Sequence, residues 1–336
     1  KIVAALLLLY GTFMALSTPL RPGVVHVDPE RLAPGEQQVV ITTYNADLFA
    51  AESVHAHLDN DGQIVHASSV RATAPNKLEA VFHVPEGFKN ELTDLVVQTN
   101  EDGTMWFPDA FWMDKTGQGI ASAEQDVEPE RIRKEGFFFP LRWQLYETIR
   151  NLNFHVPMWF TMMLILAISL VYSIRVLGSG ATEDDLKAVQ AVKVALLFAF
   201  LGLITGSVWA RPTWLKWWTS DAKLNGAAIS TLIYLAYLVL RGSVVDEKKR
   251  MRLSAIYNIF AFILMLVFIM VLPRLTESLH PGQGGNPGFS PYDLDNSLRR
   301  VFYPITLGWM LLGIWAFNLK QRLARIQYRK THEIDQ

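Results

Sequence analysis

The 336-residue sequence contains no cysteine. The absence of thiols excludes disulfides, zinc ribbons, iron–sulfur clusters and thioether-linked cofactors. The sequence also lacks a P-loop, a G-x-S-x-G nucleophile motif and an H-E-x-x-H metal motif. Because the residues for nucleotide hydrolysis and for the common hydrolase reactions are absent, we expect a binding protein and not an enzyme.

Charge is scarce in six apolar runs of 14 to 19 residues, which approach the ~20 residues that an α-helix needs to cross a bilayer; the fourth run is the shortest. Carboxylates at mid-membrane, typical of proton pumps and ion-coupled transporters, are nearly absent from them. We therefore predict an α-helical integral membrane protein with six transmembrane helices. The first is interpreted as a retained anchor, since no A-x-A-like cleavage site follows it. The runs are Ile2–Thr18, Pro157–Ile174, Val192–Val208, Ala227–Leu240, Ile256–Leu272 and Val301–Leu319.

Lysine and arginine are unevenly distributed among the connections. They concentrate in residues 173–193, in residues 241–252 and in the segment after Leu319. By the positive-inside rule these alternate connections lie in the cytoplasm, and an even number of spans puts both termini there. We therefore predict a multi-pass protein of the inner membrane whose other connections are periplasmic.

An acidic segment is hidden by the near-neutral total charge. Residues 21–135 carry 9 basic and 20 acidic side chains, whereas the rest of the chain carries 22 and 12. This segment has short, alternating or β-branched runs separated by turn sequences about every 8–12 residues, which is typical of an antiparallel sandwich. We predict an all-β, immunoglobulin-like insert on the periplasmic side, and its negative charge argues against a nucleic-acid partner.

Aromatic residues interleave with arginine and glutamate over residues 137–154, which favours an amphipathic helix at the outer interface. The insert lies between the first and second helices; a cap, a docking module and a simple spacer are all compatible with its sequence. We predict the first helix at 1–20, the β-insert at 21–116, a linker with the interfacial helix at 117–154, a five-helix membrane domain at 155–325 and a cytoplasmic tail at 326–336.

Four tryptophans fall within ten residues at the outer end of the third predicted helix. An aromatic belt at the bilayer interface accounts for one or two tryptophans per helix end. The excess favours a flat platform that stacks on a large planar ligand, with nearby cations facing carboxylates of that ligand. The tryptophans are Trp209, Trp214, Trp217 and Trp218, and the cations are Arg211, Lys216 and Lys223.

Two histidines flank predicted spans at the same outer face. His155 precedes the second span and His280 follows the fifth. Imidazoles from two different spans can supply both axial ligands of a haem iron. Alternatively, each histidine has only a structural role, at the membrane interface or as a helix cap. His55 and His57 share one face of a predicted strand, but without a third ligand they do not predict a specific metal site.

The sequence resembles the CcmC-type haem-handling proteins of cytochrome c maturation, within a wider tryptophan-rich superfamily. The resemblance covers the first span and about residues 150–325, and it rests on four motifs. These are H-V-P at 155–157, T-G-S-V-W at 205–209, W-x-x-W-W-x-x-D at 214–221 and S-L-H-x-G at 278–282. It implies that His155 and His280 are the axial ligands of a transiently bound haem b. It also implies that the tryptophan segment, with Asp221, holds the porphyrin edge.

The resemblance further implies that haem is delivered to a membrane-tethered haem chaperone beside an ABC-type maturation complex. This chain departs from the family at Ser220, which replaces a tryptophan, and at Lys223, which replaces an arginine that can bind a carboxylate in bidentate fashion. The family normally has a short loop in place of the β-insert. Two other functions remain compatible with the residues: a membrane b-type haem electron-transfer protein, and a membrane-anchored β-sandwich receptor or structural protein.

Overall fold

The computed structural model describes residues 1–114, 135–142, 145–276 and 294–334. The chain folds as two compact units. The helical unit comprises Lys1–Ser17 and Glu147–Gln336, and the β unit comprises Thr18–Tyr146. The apolar runs at the two ends of the chain therefore belong to one unit, and the acidic segment forms most of the other.

Within the described part of the chain, five helical segments are long and apolar enough to cross a membrane, and each contains one of the predicted runs from the second to the sixth. The fifth predicted run continues from α5 through one π-helical turn into the short helix α6. The helices are α2 (Leu152–Ser179), α3 (Thr182–Trp214), α4 (Ala222–Ser243), α5 (Glu247–Leu266), α6 (Leu272–Leu275) and α7 (Asn296–Ile334).

The first predicted span forms α1 (Ile2–Ser17), a helix of 16 residues. At ~1.5 Å per residue it extends about 24 Å, less than the ~30 Å of a typical hydrocarbon core. The structure therefore confirms a helical membrane protein with five candidate spans, and six spans are not confirmed. The predicted tail at 326–336 continues α7 as far as Ile334.

The helix α1 lies antiparallel along α7. The Lys1 ammonium is 5.1 Å from the ring centroid of Trp315, and the Tyr10 hydroxyl donates to the backbone oxygen of Arg300 at 3.4 Å. Near the other end of α1, Arg150 donates to the backbone oxygen of Ala15 at 2.9 Å. These contacts join α1 to the helical unit along its whole length.

Ion pairs connect the helices at one end of the helical unit. The acidic triplet at the start of α3 meets cations from three other helices. The pairs are Glu183 with Arg325 of α7, Asp184 with Arg175 of α2, and Asp185 with Arg241 of α4. The three lysine- and arginine-rich segments of the sequence therefore meet at this end, where the triplet neutralises part of their charge.

At the opposite end, the first turn of α4 lies against the π-helical turn Val267–Val271. A Cβ atom on Gly226 would lie 2.3 Å from the backbone oxygen of Phe268. Because a backbone carbonyl cannot rotate away as a side chain does, Gly226→Ala must push α4 from this turn. We expect the free energy of unfolding to fall by about 1–3 kcal/mol.

Thermal unfolding in detergent measures this effect, and Gly242→Ala is the matched control. Gly242 lies on the same helix, with no atom within 4 Å of an added Cβ. Alanine is the better helix former, so this control should not lose stability. Equal melting temperatures for the two variants would contradict the close approach at Gly226.

The β unit contains one eight-stranded sheet in the order β1-β3-β6-β5-β4-β7-β8-β2. Its buried core draws on alternate positions of the strands, as in β6, where Leu78, Ala80, Phe82 and Val84 point inward. The strands are β1 (Gly23–Asp28), β2 (Arg31–Leu32), β3 (Gly35–Tyr44), β4 (Val54–Asn60), β5 (Gln63–Ala74), β6 (Lys77–Val84), β7 (Leu92–Thr99) and β8 (Gly103–Met113).

This arrangement confirms a β-insert, but the predicted immunoglobulin-like sandwich is not confirmed. The long strand β5 pairs with β4 at its beginning and with β6 along the rest, so the strand order continues through it without a break. Two register shifts in β5 supply the local bending that such a strand needs. The predicted turn at Asp61-Gly62 is confirmed, since both residues have the positive φ that a type I′ hairpin requires, 55° and 84°.

The predicted interfacial helix is not formed over residues 135–142, which are not helical. Phe139 instead pairs with the segment around Leu20: its N–H donates to Pro19 at 2.9 Å, and its carbonyl accepts from Arg21 at 2.8 Å. These bonds use the backbone groups that a helix needs, and Pro140 lacks an N–H. Among the described residues of the predicted linker before α2, helix is confined to a 3₁₀ segment at Tyr146–Asn151, and residues 117–134 lie outside the described part of the chain.

Candidate functional site

His155 lies in the first turn of α2, beside the last turns of α3. Its side chain is largely buried, with ring centroids 6.1 Å from Trp159 and 5.9 Å from Trp209, both edge to face. Its Nδ1 lies 3.1 Å from the hydroxyl oxygen of Thr205, and its Nε2 accepts from the Trp159 indole N–H at 3.4 Å. The structure thus brings together His155 and Trp209, two predicted site residues on different helices.

One face of α3 provides the room for these rings. Gly202, Thr205, Gly206 and Trp209 are spaced by three or four residues and therefore lie on the same side of the helix. A Cβ on Gly206 would lie 2.8 Å from Cε1 of His155, and one on Gly202 would lie 2.7 Å from Cε2 of Trp159. The absence of both side chains lets the two rings rest directly on α3.

The remaining predicted tryptophans follow Trp209 at the end of α3. Trp209 itself is held in place, because its indole N–H donates to the Thr148 hydroxyl at 3.1 Å. Trp214 is half-buried, whereas Trp217 and Trp218 are 60% and 40% exposed. The loop therefore presents an exposed aromatic surface next to a tryptophan that contacts His155.

Asp221 has a well-defined structural position as the N-cap of α4. Its buried carboxylate accepts from the backbone N–H groups of Lys223 at 2.8 Å and Leu224 at 3.4 Å. A carboxylate there satisfies free N–H groups and matches the positive end of the helix dipole. This position fixes the end of the tryptophan loop, and a ligand contact by Asp221 stays a prediction.

The predicted cations of the loop differ in their surroundings. Arg211 is exposed and donates to the backbone oxygen of Leu215 at 2.7 Å, so that it braces the turn after α3. Lys216 is exposed and Lys223 is half-buried. Arg211 and Lys216 therefore place positive charge on the surface beside the exposed tryptophans.

The second predicted iron ligand, His280, lies outside the described residues. The chain leaves the described part after α6 and Thr276, following the π-helical turn that contacts the first turn of α4. Single π-helical turns within α-helices are frequent at functional sites. The described segment that precedes His280 thus ends at the same end of the helical unit as His155.

These residues suit a planar, metal-containing ligand with peripheral carboxylates. His155 offers an imidazole nitrogen that accepts a hydrogen bond, and Trp217 and Trp218 offer exposed ring faces. Surface cations nearby can pair with carboxylates. Among the described residues, no group of three or more histidine or acidic side chains is placed to hold a free metal ion. In the β unit, the ring of His57 lies 5.5 Å from that of His66, and this pair belongs to no such group of three.

The sequence motifs included Thr205 and Gly206 without assigning them a role, and they missed Trp159 and Gly202 as parts of the site. A signal was available: Trp159 follows His155 by four residues on α2, and Gly202, Thr205 and Gly206 precede Trp209 with helical spacing. Neither helix alone shows which residues of the other it contacts, so the contact between these two faces became visible only in the folded unit.

The family model CcmC, described as heme exporter protein C, matches residues 134–333. This chain is similar to proteins named heme exporter protein C from several bacteria. The protein from Paracoccus denitrificans is 27% identical over 58% of this chain and 80% of its own length. The one from Haemophilus influenzae is 24% identical over 55% and 75%.

Two shorter similarities cover less than half of the relative. Heme exporter protein C from Bradyrhizobium diazoefficiens is 30% identical over 36% of this chain and 46% of its own length. A cytochrome c biogenesis protein CcsA from Prochlorococcus marinus subsp. pastoris is 34% identical over 28% of this chain and 30% of its own length. The described strands β1–β8 all precede the matched region. Since the family model covers more than half of the chain, this protein belongs to the heme exporter protein C family.

Proposed function

We propose that this chain binds haem at the end of the helical unit that carries His155 and passes it to an acceptor protein in c-type cytochrome biogenesis. The observation that carries the proposal is the position of His155. Its imidazole is largely buried between two tryptophans, with Nε2 accepting a hydrogen bond, and the helix α3 that carries one of them, Trp209, leads into the exposed tryptophan loop. The relatives are named as heme exporters, which supports the same ligand.

In this proposal His155 and His280 are the two axial ligands of a haem b. Because the chain has no cysteine, the haem is held without thioether bonds. Trp217 and Trp218 stack on the porphyrin edge and shield it from water, and Arg211 and Lys223 pair with its propionates. The haem is cargo, and the protein is not an enzyme: release of one histidine opens a coordination position for a ligand on the acceptor.

We also propose that α1 is a sixth span, with both termini in the cytoplasm. The contacts of Lys1 with Trp315 and of Tyr10 with Arg300 support this, since they run antiparallel along α7. The ion-paired end of the unit collects the lysine- and arginine-rich segments, which favours the cytoplasmic side of an inner membrane. The end with His155 and the tryptophan loop is then periplasmic, and the chain between α1 and α2, which forms the β unit, is on the same side of the membrane.

The acceptor in this proposal is a membrane-tethered haem chaperone that works beside an ABC-type maturation complex. The support comes from the family, whose relatives carry names from haem export and cytochrome c biogenesis.

An absorption spectrum of the detergent-purified protein tests the proposed function. We expect the wild type, supplied with haem, to give the spectrum of a low-spin, bis-histidine haem. The His155→Ala, His280→Ala double variant should lose that spectrum, because both axial ligands are removed. A wild type that stays colourless with haem would overturn the proposal, and so would a double variant that retains haem equally well.

A further inference from the structure

We propose that Thr205 is a positioning residue: its hydroxyl holds the proton of His155 on Nδ1 and so keeps Nε2 as the nitrogen that binds iron. This inference rests on the proposed role of His155 as a haem ligand. Thr205 lies on α3 and His155 on α2, and the two are 50 residues apart in sequence. Its support comes from the hydrogen-bond partners of the Thr205 hydroxyl, from the contact at the other ring nitrogen of His155 and from the packing around the ring.

The first contacts concern the Thr205 hydroxyl. Its oxygen lies 2.8 Å from the backbone oxygen of Leu201 and 3.2 Å from that of Gly202. A hydroxyl has one proton to donate, and a carbonyl oxygen can only accept, so the proton is directed at the helix backbone. The lone pairs of the hydroxyl oxygen then face Nδ1 of His155 at 3.1 Å, which must be the donor.

The contact at the other ring nitrogen leads independently to the same tautomer. The indole N–H of Trp159 is a donor only, and it lies 3.4 Å from Nε2 of His155. A nitrogen that accepts a hydrogen bond carries no proton, so the lone pair of Nε2 faces the Trp159 indole, and iron binding at Nε2 replaces this hydrogen bond. The neutral Nδ1–H tautomer satisfies both contacts at once, whereas the Nε2–H tautomer and the imidazolium satisfy at most one.

The packing around the ring preserves this orientation. The Cε1 atom of His155 lies over Gly206, the residue that follows Thr205, where an added Cβ would approach to 2.8 Å. Trp159 and Trp209 hold the ring edgewise on other sides. Hydrogen bonds from the second nitrogen of a metal-binding histidine fix its tautomer and raise its basicity, and their loss typically costs about 10–100-fold in metal affinity.

The test compares Thr205→Val, which removes the hydroxyl at nearly constant shape, with Thr205→Ser, which keeps it. We expect Thr205→Val to weaken haem binding about 10–100-fold. The midpoint potential of the remaining bound haem should rise, because an imidazole without a partner for its N–H donates less electron density to ferric iron. Thr205→Ser should restore both quantities towards wild type.

The matched control is Thr231→Val. Thr231 on α4 makes the same hydroxyl bond to the carbonyl four residues earlier, with Ala227 at 2.9 Å. This variant removes a buried hydroxyl of the same kind, yet it should leave the midpoint potential of the haem unchanged. A comparable shift of the potential in Thr231→Val would show that helix packing, and not the contact with His155, is responsible.

A readout without haem completes the test. The haem-free protein with ¹⁵N-labelled histidine is measured by solid-state nitrogen NMR, and the signals of His155 are identified by their absence from His155→Gln. They should show a protonated Nδ1 and an unprotonated Nε2. A protonated Nε2 in the wild type would overturn the inference even if Thr205→Val fails to fold. A colourless wild type would instead overturn the proposed function, and a coloured wild type with an unaltered Thr205→Val would overturn the inference alone.

Discussion

Replacing His155 by alanine is expected to weaken haem retention by more than about a hundredfold. Loss of a neighbour that only orients a metal ligand already costs about 10–100-fold, so loss of the ligand itself should cost more. Trp217→Ala should have a smaller effect, since a well-placed aromatic contact contributes about 0.5–1.5 kcal/mol, or at most about tenfold in affinity. Haem titrations followed by absorbance measure both variants.

Two further variants separate a lost ligand from a damaged fold. His83→Ala makes the same chemical change at an exposed position of β6 and should bind haem as the wild type does. His155→Gly leaves a space at the iron-binding position, which added imidazole can fill. We expect imidazole to restore the low-spin spectrum of His155→Gly. Equal haem affinity for His155→Ala and Trp217→Ala would contradict the assignment of His155 as a ligand.

The largest effect on stability is expected at the ion pair between Asp185 and Arg241. Arg241 donates to both carboxylate oxygens of Asp185, and the bond from Nη1 is 2.7 Å long. The side chain of Arg241 is only 14% exposed and that of Asp185 only 5%. In Asp185→Leu the guanidinium stays buried without its counter-charge. Breaking such a pair from one side typically costs about 3–5 kcal/mol of the free energy of unfolding.

Unfolding by sodium dodecyl sulfate titration measures this loss, and the exposed pair on the same end of the unit is the control. Arg325 and Glu183 are 41% and 58% exposed, so Arg325→Ala should cost no more than about 1 kcal/mol. The double variant Asp185→Leu, Arg241→Met should regain much of the stability lost in Asp185→Leu, since no unpaired charge remains. A loss of under 1 kcal/mol in Asp185→Leu would contradict the role of this pair.

The sequence predicted most accurately what depends on local composition. Runs of about 20 apolar residues predict membrane helices because each such helix satisfies its own backbone hydrogen bonds within lipid, and five of them are confirmed as candidate spans. The turn at Asp61-Gly62 was likewise predictable, since few residues other than glycine, asparagine and aspartate adopt positive φ. The motifs around His155 and in the tryptophan loop indicated the heme exporter protein C family, to which the match over residues 134–333 assigns the chain.

Features that depend on long-range pairing were predicted less well. Alternation within β5 gives no indication that the strand pairs with both β4 and β6, so the continuous order of the eight strands was not predictable and the immunoglobulin-like sandwich is not confirmed. The residues before α2 have an amphipathic pattern, yet Phe139 hydrogen-bonds with Pro19 and Arg21, far away in sequence. A periodic pattern shows which face is apolar but does not show which segment covers it.

The sequence by itself determined the class of this protein, its helical and β segments, and the histidine and tryptophans at its candidate site. The tertiary structure decided how these residues act together. Only the contact between α2 and α3 places Thr205 at Nδ1 of His155, and only the meeting of α3 with α4 buries Asp185 against Arg241. Hydrogen bonds and ion pairs act over about 3–4 Å, so residues distant in sequence come within their reach only when the helices pack.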